Sequence, residues 1–287
     1  MLKQRIITAL ILAPAALIAI LFLPIVWFQI AIAGVVALGG YEWANMSGMR
    51  ERPKKIMYMI ATFVICVLMS LAVDTTMIWH QGQLHWFFHT ILTVSIVWWA
   101  ASLIMVLAYP KYTRFWKNSR SVRTLFGFLT LVPTWVGVVA LRTSLYDVDP
   151  TYGASLIFYV LGIVWAADIG AFFVGVKFGR HKLRPNVSPG KSLEGLLGGI
   201  AASFAIIAFA ALHYQVEPSR IWLHMLIGGV TVAVSALGDL NESMLKRCAG
   251  IKDSGRILPG HGGVLDRIDS LTAAFPVFAF CYVTWMA

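Results

Sequence analysis

Apolar positions along the chain come in long unbroken runs, not in the alternation of a half-buried strand or the one-in-three-or-four spacing of a soluble helix. The runs cover roughly residues 7–24, 26–46, 56–74, 87–109, 123–142, 153–178, 193–213, 221–245 and 270–287. Each supplies about the 20 helical residues that cross roughly 30 Å of hydrocarbon. Unpaired backbone groups are costly in lipid and barrel strands alternate, so the pattern predicts an all-α integral membrane protein of nine transmembrane helices. Residues 1–287 read as one polytopic domain, with amino-terminal spans over 1–150 and chemically loaded spans over 151–287.

The polar remainder orients those helices. Four basic residues lie in "SGMRERPKK", five in "KYTRFWKNSRSVR", five in "KFGRHKLRPNVSPGKS" and five between Asn241 and Asp269, with Lys3 and Arg5 at the start. These connections hold 21 of the 23 Lys and Arg, Arg142 and Arg220 being the others, while the alternate loops have almost none. The positive-inside bias then predicts a cytoplasmic amino terminus and a periplasmic carboxyl terminus. "MLKQRIITALILAPAALIAILFLP" resembles a signal peptide at its start, but a second span follows at once, so an uncleaved first helix is expected. Composition agrees, at 59% hydrophobic and 13% charged. The net charge of +10 belongs to one membrane face and its anionic lipids, not to nucleic acid. Cys66, Cys248 and Cys281 lack metal or redox spacing and read as packing residues.

Acidic residues concentrate late. Seven of thirteen are Asp168, Glu194, Asp239, Glu242, Asp253, Asp266 and Asp269, all in or beside the last four spans. Asp168 sits mid-span in "VLGIVWAADIGAFFVGV", where a charge costs several kcal/mol unless paired or hydrated. It is either functional or a packing hydrogen-bonder to small neighbours. In "SALGDLNESMLKR", Asp239, Ser243 and Lys246 project within about 60° of one another on a helix, with Glu242 at the border. That face suits a cation and a phosphate held together, the acids drawing the metal and Lys246 and Arg247 the phosphate. A solvated helix end with a Glu242–Lys246 ion pair fits equally well.

The stretch "KDSGRILPGHGGVLDRID", residues 252–269, favours the first reading. Its Pro-Gly and His-Gly-Gly turns let backbone N–H groups approach an anion. The helix that follows carries Asp266 and Asp269 on one face, a spacing suited to Mg²⁺ whose other ligands are water and substrate phosphate. Lys252, Arg256 and Arg267 balance phosphate charge. By contrast, "SGMRERPKK" is remote in sequence from every candidate metal ligand and is expected only to orient the chain and attract lipid.

The run Ser243-x-x-Lys246-Arg247, Lys252-Asp253 and His261-Gly262-Gly263-x-x-Asp266-Arg267-x-Asp269 resembles the signature of bacterial phosphatidate cytidylyltransferases, also called CDP-diacylglycerol synthases. The likeness extends to "WAADIGAFFVG" around Asp168, "SPGKSLEG" at 188–195 and "LGDLNES" at 237–243, and thins in the first 150 residues. It implies a multi-pass enzyme of the bacterial cytoplasmic membrane that joins CTP and phosphatidic acid into CDP-diacylglycerol and pyrophosphate. It also implies Mg²⁺, a companion monovalent ion such as K⁺, and a homodimer. Asp239, Asp266 and Asp269 are then expected at the metal, with Asp168 and Glu194 supporting. Lys246, Arg247, Lys252 and Arg267 are expected on the triphosphate, and Ser188, Lys191, Ser192 and Ser243 on phosphate. His261 would bond phosphate or organise its loop, beside Asp253, Gly262 and Gly263.

"PGKS" at 189–192 mimics the end of a P-loop, but Pro185 stands where that motif needs Gly, and the expected neighbour is a membrane helix rather than a strand. CDP-alcohol phosphotransferases open their motif with Asp-Gly-x-x-Ala-Arg, absent here, and polyprenol kinases are more distant. A transporter using Asp168 is the non-enzyme alternative. Charge gathered at one face, and no internal repeat, weigh against it.

Overall fold

Backbone hydrogen bonds that lipid cannot satisfy are closed within helices along almost the whole chain. In the computed structural model, which describes residues 2–286, these are α1 (Leu2–Phe22), α2 (Ile25–Met46), α3 (Arg52–Ala72), α4 (Trp86–Ala108), the one-turn α5 (Arg114–Lys117), α6 (Arg120–Thr143), α7 (Tyr152–Phe178), α8 (Leu193–His213), α9 (Ile221–Ala249) and α10 (Leu265–Trp285). Eight of the described helices are long and apolar enough to cross a membrane, and Ile6–Phe22 is a shorter apolar segment. The side chains of Lys3 and Arg5, and all of Ala287, lie outside the described residues.

Two features depart from the expected pattern. Short antiparallel hairpins interrupt the helices, β1 (Trp79–His80) with β2 (Gln83–Leu84) and β3 (Lys182–Arg184) with β4 (Ser188–Ser192). "PGKS" therefore forms a hairpin strand rather than a phosphate loop. The apolar run from 270 is also extended at its start, by a first turn from Leu265 that carries Asp266 and Asp269 on the helix expected there. Its first turn is stabilised by Asp266 near the positive end of the helix dipole, and by a side chain from α2 described below. At the other boundary α9 stops at Gly250, whose φ of 71° lets Ile251 N–H reach Lys246 O at 3.0 Å, a left-handed cap that glycine adopts without steric cost.

Small residues set the helix spacing. A methyl on Gly199 would come within 2.5 Å of Ala167 O, and one on Gly170 within 2.6 Å of Gly198 O. The glycine-rich face "GLLGGIAAS" thus packs within the chain, against α7. A methyl on Gly238 would fall 2.6 Å from Asp269 O, so α9 and α10 touch beside the acids. α6 is buried over most of its length and packs on α2, α4 and α10.

The basic connections gather at one end. Lines of contact run from the α2–α3 turn to the 250–257 loop through Asn45 and Ser254, 2.7 Å apart, and from the β3–β4 hairpin to α4, where Arg184 Nη2 donates to Leu107 O at 2.8 Å. Arg142 lies near the opposite end. It is 2% exposed and donates to Ile20 O at 2.8 Å and Pro150 O at 3.0 Å, so its charge ties α1 to the loop before α7.

Candidate active site

Four carboxylates and two lysines meet where α9 passes α10 and the β3–β4 hairpin. On α9 the helical spacing puts Asp239 over Ser243, whose Oγ donates to it at 3.2 Å, and Glu242 over Lys246, 3.1 Å away. Lys246 also bonds Asp266 Oδ1 at 2.8 Å. The internal ion pair of the second reading therefore exists, though buried rather than solvated, and it is extended to α10. Lys191, on β4, reaches Asp239 Oδ2 at 2.5 Å.

The loop before α10 is built around anions of the chain itself. Asp266 accepts N–H bonds from Ser254 at 3.1 Å and Gly263 at 3.0 Å. Glu42, on α2 and 0% exposed, accepts from Leu265 N–H at 2.8 Å and Ser254 Oγ at 3.2 Å. Side chains at Gly255 or Gly263 would collide with Glu42. The glycines expected to admit a phosphate thus admit two protein carboxylates. Gly260 and Gly262 take φ of 77° and 85° in the turn closed by Leu258 N–H to Gly262 O at 2.9 Å. Glu42 is the residue that sequence reasoning missed. It sits in the apolar run "VVALGGYEWANM", and the signal that singled out Asp168, an acid inside a span, also marks it.

The remaining expected residues separate into groups. Asp168, Lys191, Ser192 and Asp239 line one cavity of about 400 Å³, together with Phe172, Val176, Leu196 and Ile200. Ser192 caps α8 by accepting Gly195 N–H at 3.1 Å. Ser188 begins β4, paired with Arg184. Glu194 is placed outside that cavity and holds the hairpin, accepting from His181 Nδ1 at 2.6 Å and from the N–H groups of Arg180 and His181. Arg267 Nε donates to His261 O at 3.0 Å, while His261 Nδ1 is buried without a partner. Arg247 is exposed.

Lys252 and Asp253 line a different cavity, of about 1380 Å³, with Arg50, Lys54 and Lys55 across it. "SGMRERPKK" is thus remote in sequence only. The Asn45–Ser254 bond brings the α2–α3 turn against the signature loop.

Among the described residues no three His, Cys, Asp or Glu side chains form a ready-made metal cluster. The donors still fit Mg²⁺ in kind, because that ion takes one or two carboxylates and draws its other ligands from water and phosphate. Asp239 and Asp269 are like-charged neighbours, and the hydrogen bond to Asp269 comes from the adjacent Ser270 N–H at 2.8 Å. A cation between them would offset that repulsion.

Residues 3–285 match the Cytidylyltransferase family. The chain belongs to that family. A phosphatidate cytidylyltransferase of Haemophilus influenzae is 39% identical over 287 residues, covering 98% of this chain and 99% of the relative. One of Pseudomonas aeruginosa is 44% identical over 279 residues, covering 97% and 96%. A relative of the same description from Bacillus subtilis is 39% identical over 180 residues, 62% of this chain and 66% of its own. This cytidylyltransferase is therefore a multi-pass membrane enzyme of the nucleotidyltransferase class. Its acids and lysines lie at the end of the bundle where the basic connections gather.

Proposed function

We infer that this cytidylyltransferase transfers the cytidylyl group of CTP to phosphatidate, forming CDP-diacylglycerol and releasing pyrophosphate at the cytoplasmic face of the bacterial cytoplasmic membrane. One observation carries the reading beyond the family. The cavity bearing Asp168, Lys191 and Asp239 is walled by Phe172 and Val176, large apolar side chains exposed on the outer surface of α7. A lipid phosphate can meet charged groups there while its acyl chains stay in hydrocarbon.

A phosphate oxygen of phosphatidate attacks the α-phosphorus of CTP, and the bond to the β-phosphate oxygen breaks with its electron pair leaving on pyrophosphate. Phosphatidate is already anionic near neutral pH, so no side chain has to take a proton. Repulsion between two anions is the obstacle, and catalysis rests on positioning and charge. Lys191 and Lys246 bind phosphate oxygens, released in part from Asp239 and Asp266 as substrate arrives. Asp239, Asp266 and Asp269 would hold Mg²⁺, which when bound neutralises the developing phosphate charge. The companion monovalent ion and the homodimer rest on the resemblance to the family alone.

Purified protein with Mg²⁺ is expected to move label from CTP into a chloroform-soluble product only when phosphatidate is supplied. No transfer under those conditions rejects the reading. Orientation is tested separately. A periplasmic reporter fused after Ala287 is expected to be active and one fused within residues 111–120 inactive, and the reverse pattern would remove the site from the compartment where CTP is made.

A further inference from the structure

The 1380 Å³ cavity is a charged basin assembled from three distant parts of the chain. Arg50, Lys54 and Lys55 come from the α2–α3 turn, Lys117, Arg120 and Arg123 from α5 and the start of α6, and Lys252 and Arg256 from the loop after α9. Eight basic side chains face three acidic ones, Glu42, Glu51 and Asp253. Two of those acids are already engaged. Glu42 is turned to Leu265 and Ser254, and Glu51 pairs with Lys54 at 2.6 Å. Among the described residues Arg50, Lys117, Arg120, Lys252 and Arg256 have no carboxylate at ion-pairing distance.

That much positive charge converging on one hollow raises the local concentration of anions. Two long helices, α3 and α6, also begin at its rim, adding the partial positive charge of their amino termini. A single phosphate would engage a fraction of the cations, so the basin fits an anion with several charges. The volume exceeds the roughly 300–1,000 Å³ that holds a drug-sized ligand. Unlike the 400 Å³ cavity with its Phe172, Val176, Leu196 and Ile200 wall, it is lined mainly by charged and polar groups, which outnumber Tyr41, Met49, Ile251 and Ile257, and this favours a water-soluble polyphosphate over a lipid headgroup.

We propose that this basin holds the polyphosphate of the nucleoside triphosphate substrate, so that the α2–α3 turn and the α5–α6 segment form one arm of the nucleotide site. Ser254 and Gly255 line it, and Ser254 N–H also bonds Asp266, so one loop separates the bound polyphosphate from the catalytic acids. Pyrophosphate formed in the reaction leaves by the same basin. The inference rests on the CTP reading above, and its test is therefore a binding measurement independent of turnover.

The probe is inorganic triphosphate, titrated calorimetrically into the full-length protein in nanodiscs of zwitterionic phosphatidylcholine. Each lost charge-assisted contact to a phosphate is expected to weaken binding by about tenfold. A Lys55→Gln/Arg120→Gln double variant should therefore bind triphosphate about a hundredfold more weakly and show a raised KM for CTP, with KM for phosphatidate unchanged. Arg220→Gln should keep triphosphate binding, because Arg220 lies at the start of α9, away from the site, and does not line the basin. That contrast supports the basin whatever the transfer assay gives. Unchanged triphosphate affinity in a double variant that inserts normally overturns the proposal. So does displacement of triphosphate from the parent protein by phosphatidylglycerol added to the nanodisc, which would make the basin a lipid site.

Discussion

Transfer by an Asp239→Asn variant is expected to fall about a hundredfold to a thousandfold, with insertion unchanged. Asn keeps the size of the side chain, and its carbonyl can still accept from Ser243 Oγ, now 3.2 Å from Asp239. It cannot hold Lys191 by charge, as Asp239 does at 2.5 Å, nor offer a hard anionic ligand to Mg²⁺. Losing one preorganised electrostatic contact in a desolvated site costs roughly 2.7–4 kcal/mol of transition-state stabilisation. Initial rates at saturating CTP and phosphatidate, normalised to inserted protein, give the size of the loss. A Mg²⁺ titration gives its cause, since a bound ion lost for want of charge is recovered partly at high Mg²⁺. A rate within tenfold of the parent at ordinary Mg²⁺ would remove Asp239 from the site.

Lys246→Gln should damage stability and turnover together. Lys246 stands between Glu242, which is 3% exposed, and Asp266. Taking away the ammonium leaves two carboxylates facing each other in a desolvated place, and breaking a buried pair by removing one partner costs about 3–5 kcal/mol. Turnover is expected to fall at least a hundredfold, from a lost phosphate contact in the transition state. A Glu242→Gln/Lys246→Gln double variant separates the two effects. It should recover much of the unfolding temperature, because the charge imbalance is gone, while transfer stays low. Recovery of transfer along with stability would mean that Lys246 serves the fold and not the substrate.

Much of this architecture was legible because lipid leaves the backbone few options. Eight of the apolar runs correspond to described helices long and apolar enough to cross a membrane, the first to the shorter apolar segment Ile6–Phe22, and the α9 face with Asp239, Glu242, Ser243 and Lys246 follows from helical periodicity. What escaped depends on contacts far apart in the chain. Glu42 looks like an isolated acid in the second span until its partners, 212 and 223 residues further on, are known. The helix bearing Asp266 and Asp269 is legible in "VLDRID", whereas the Glu42 carboxylate that accepts from its Leu265 N–H comes from another helix and is not. "SGMRERPKK" reads in sequence as an orientation signal alone, and nothing in its composition reveals that it converges with two other basic connections on one hollow. Asp266 and Lys246 are each expected on a ligand, and the structure pairs them with each other at 2.8 Å.

Glu42 also sets a timetable for biosynthesis. A ribosome adding about 5–20 residues per second delivers α2 roughly 10–45 s before Leu265, which lies 223 residues downstream. Throughout that interval the nascent bundle carries a carboxylate whose amide and hydroxyl partners have not yet been made, and an acid without partners inside a bilayer is costly. The Glu42 end of α2 must therefore stay within reach of water, or of the insertion machinery, until the last helix emerges. The loop before α10 is organised only at the end of translation, so a chain released early would insert most of its helices and still lack it.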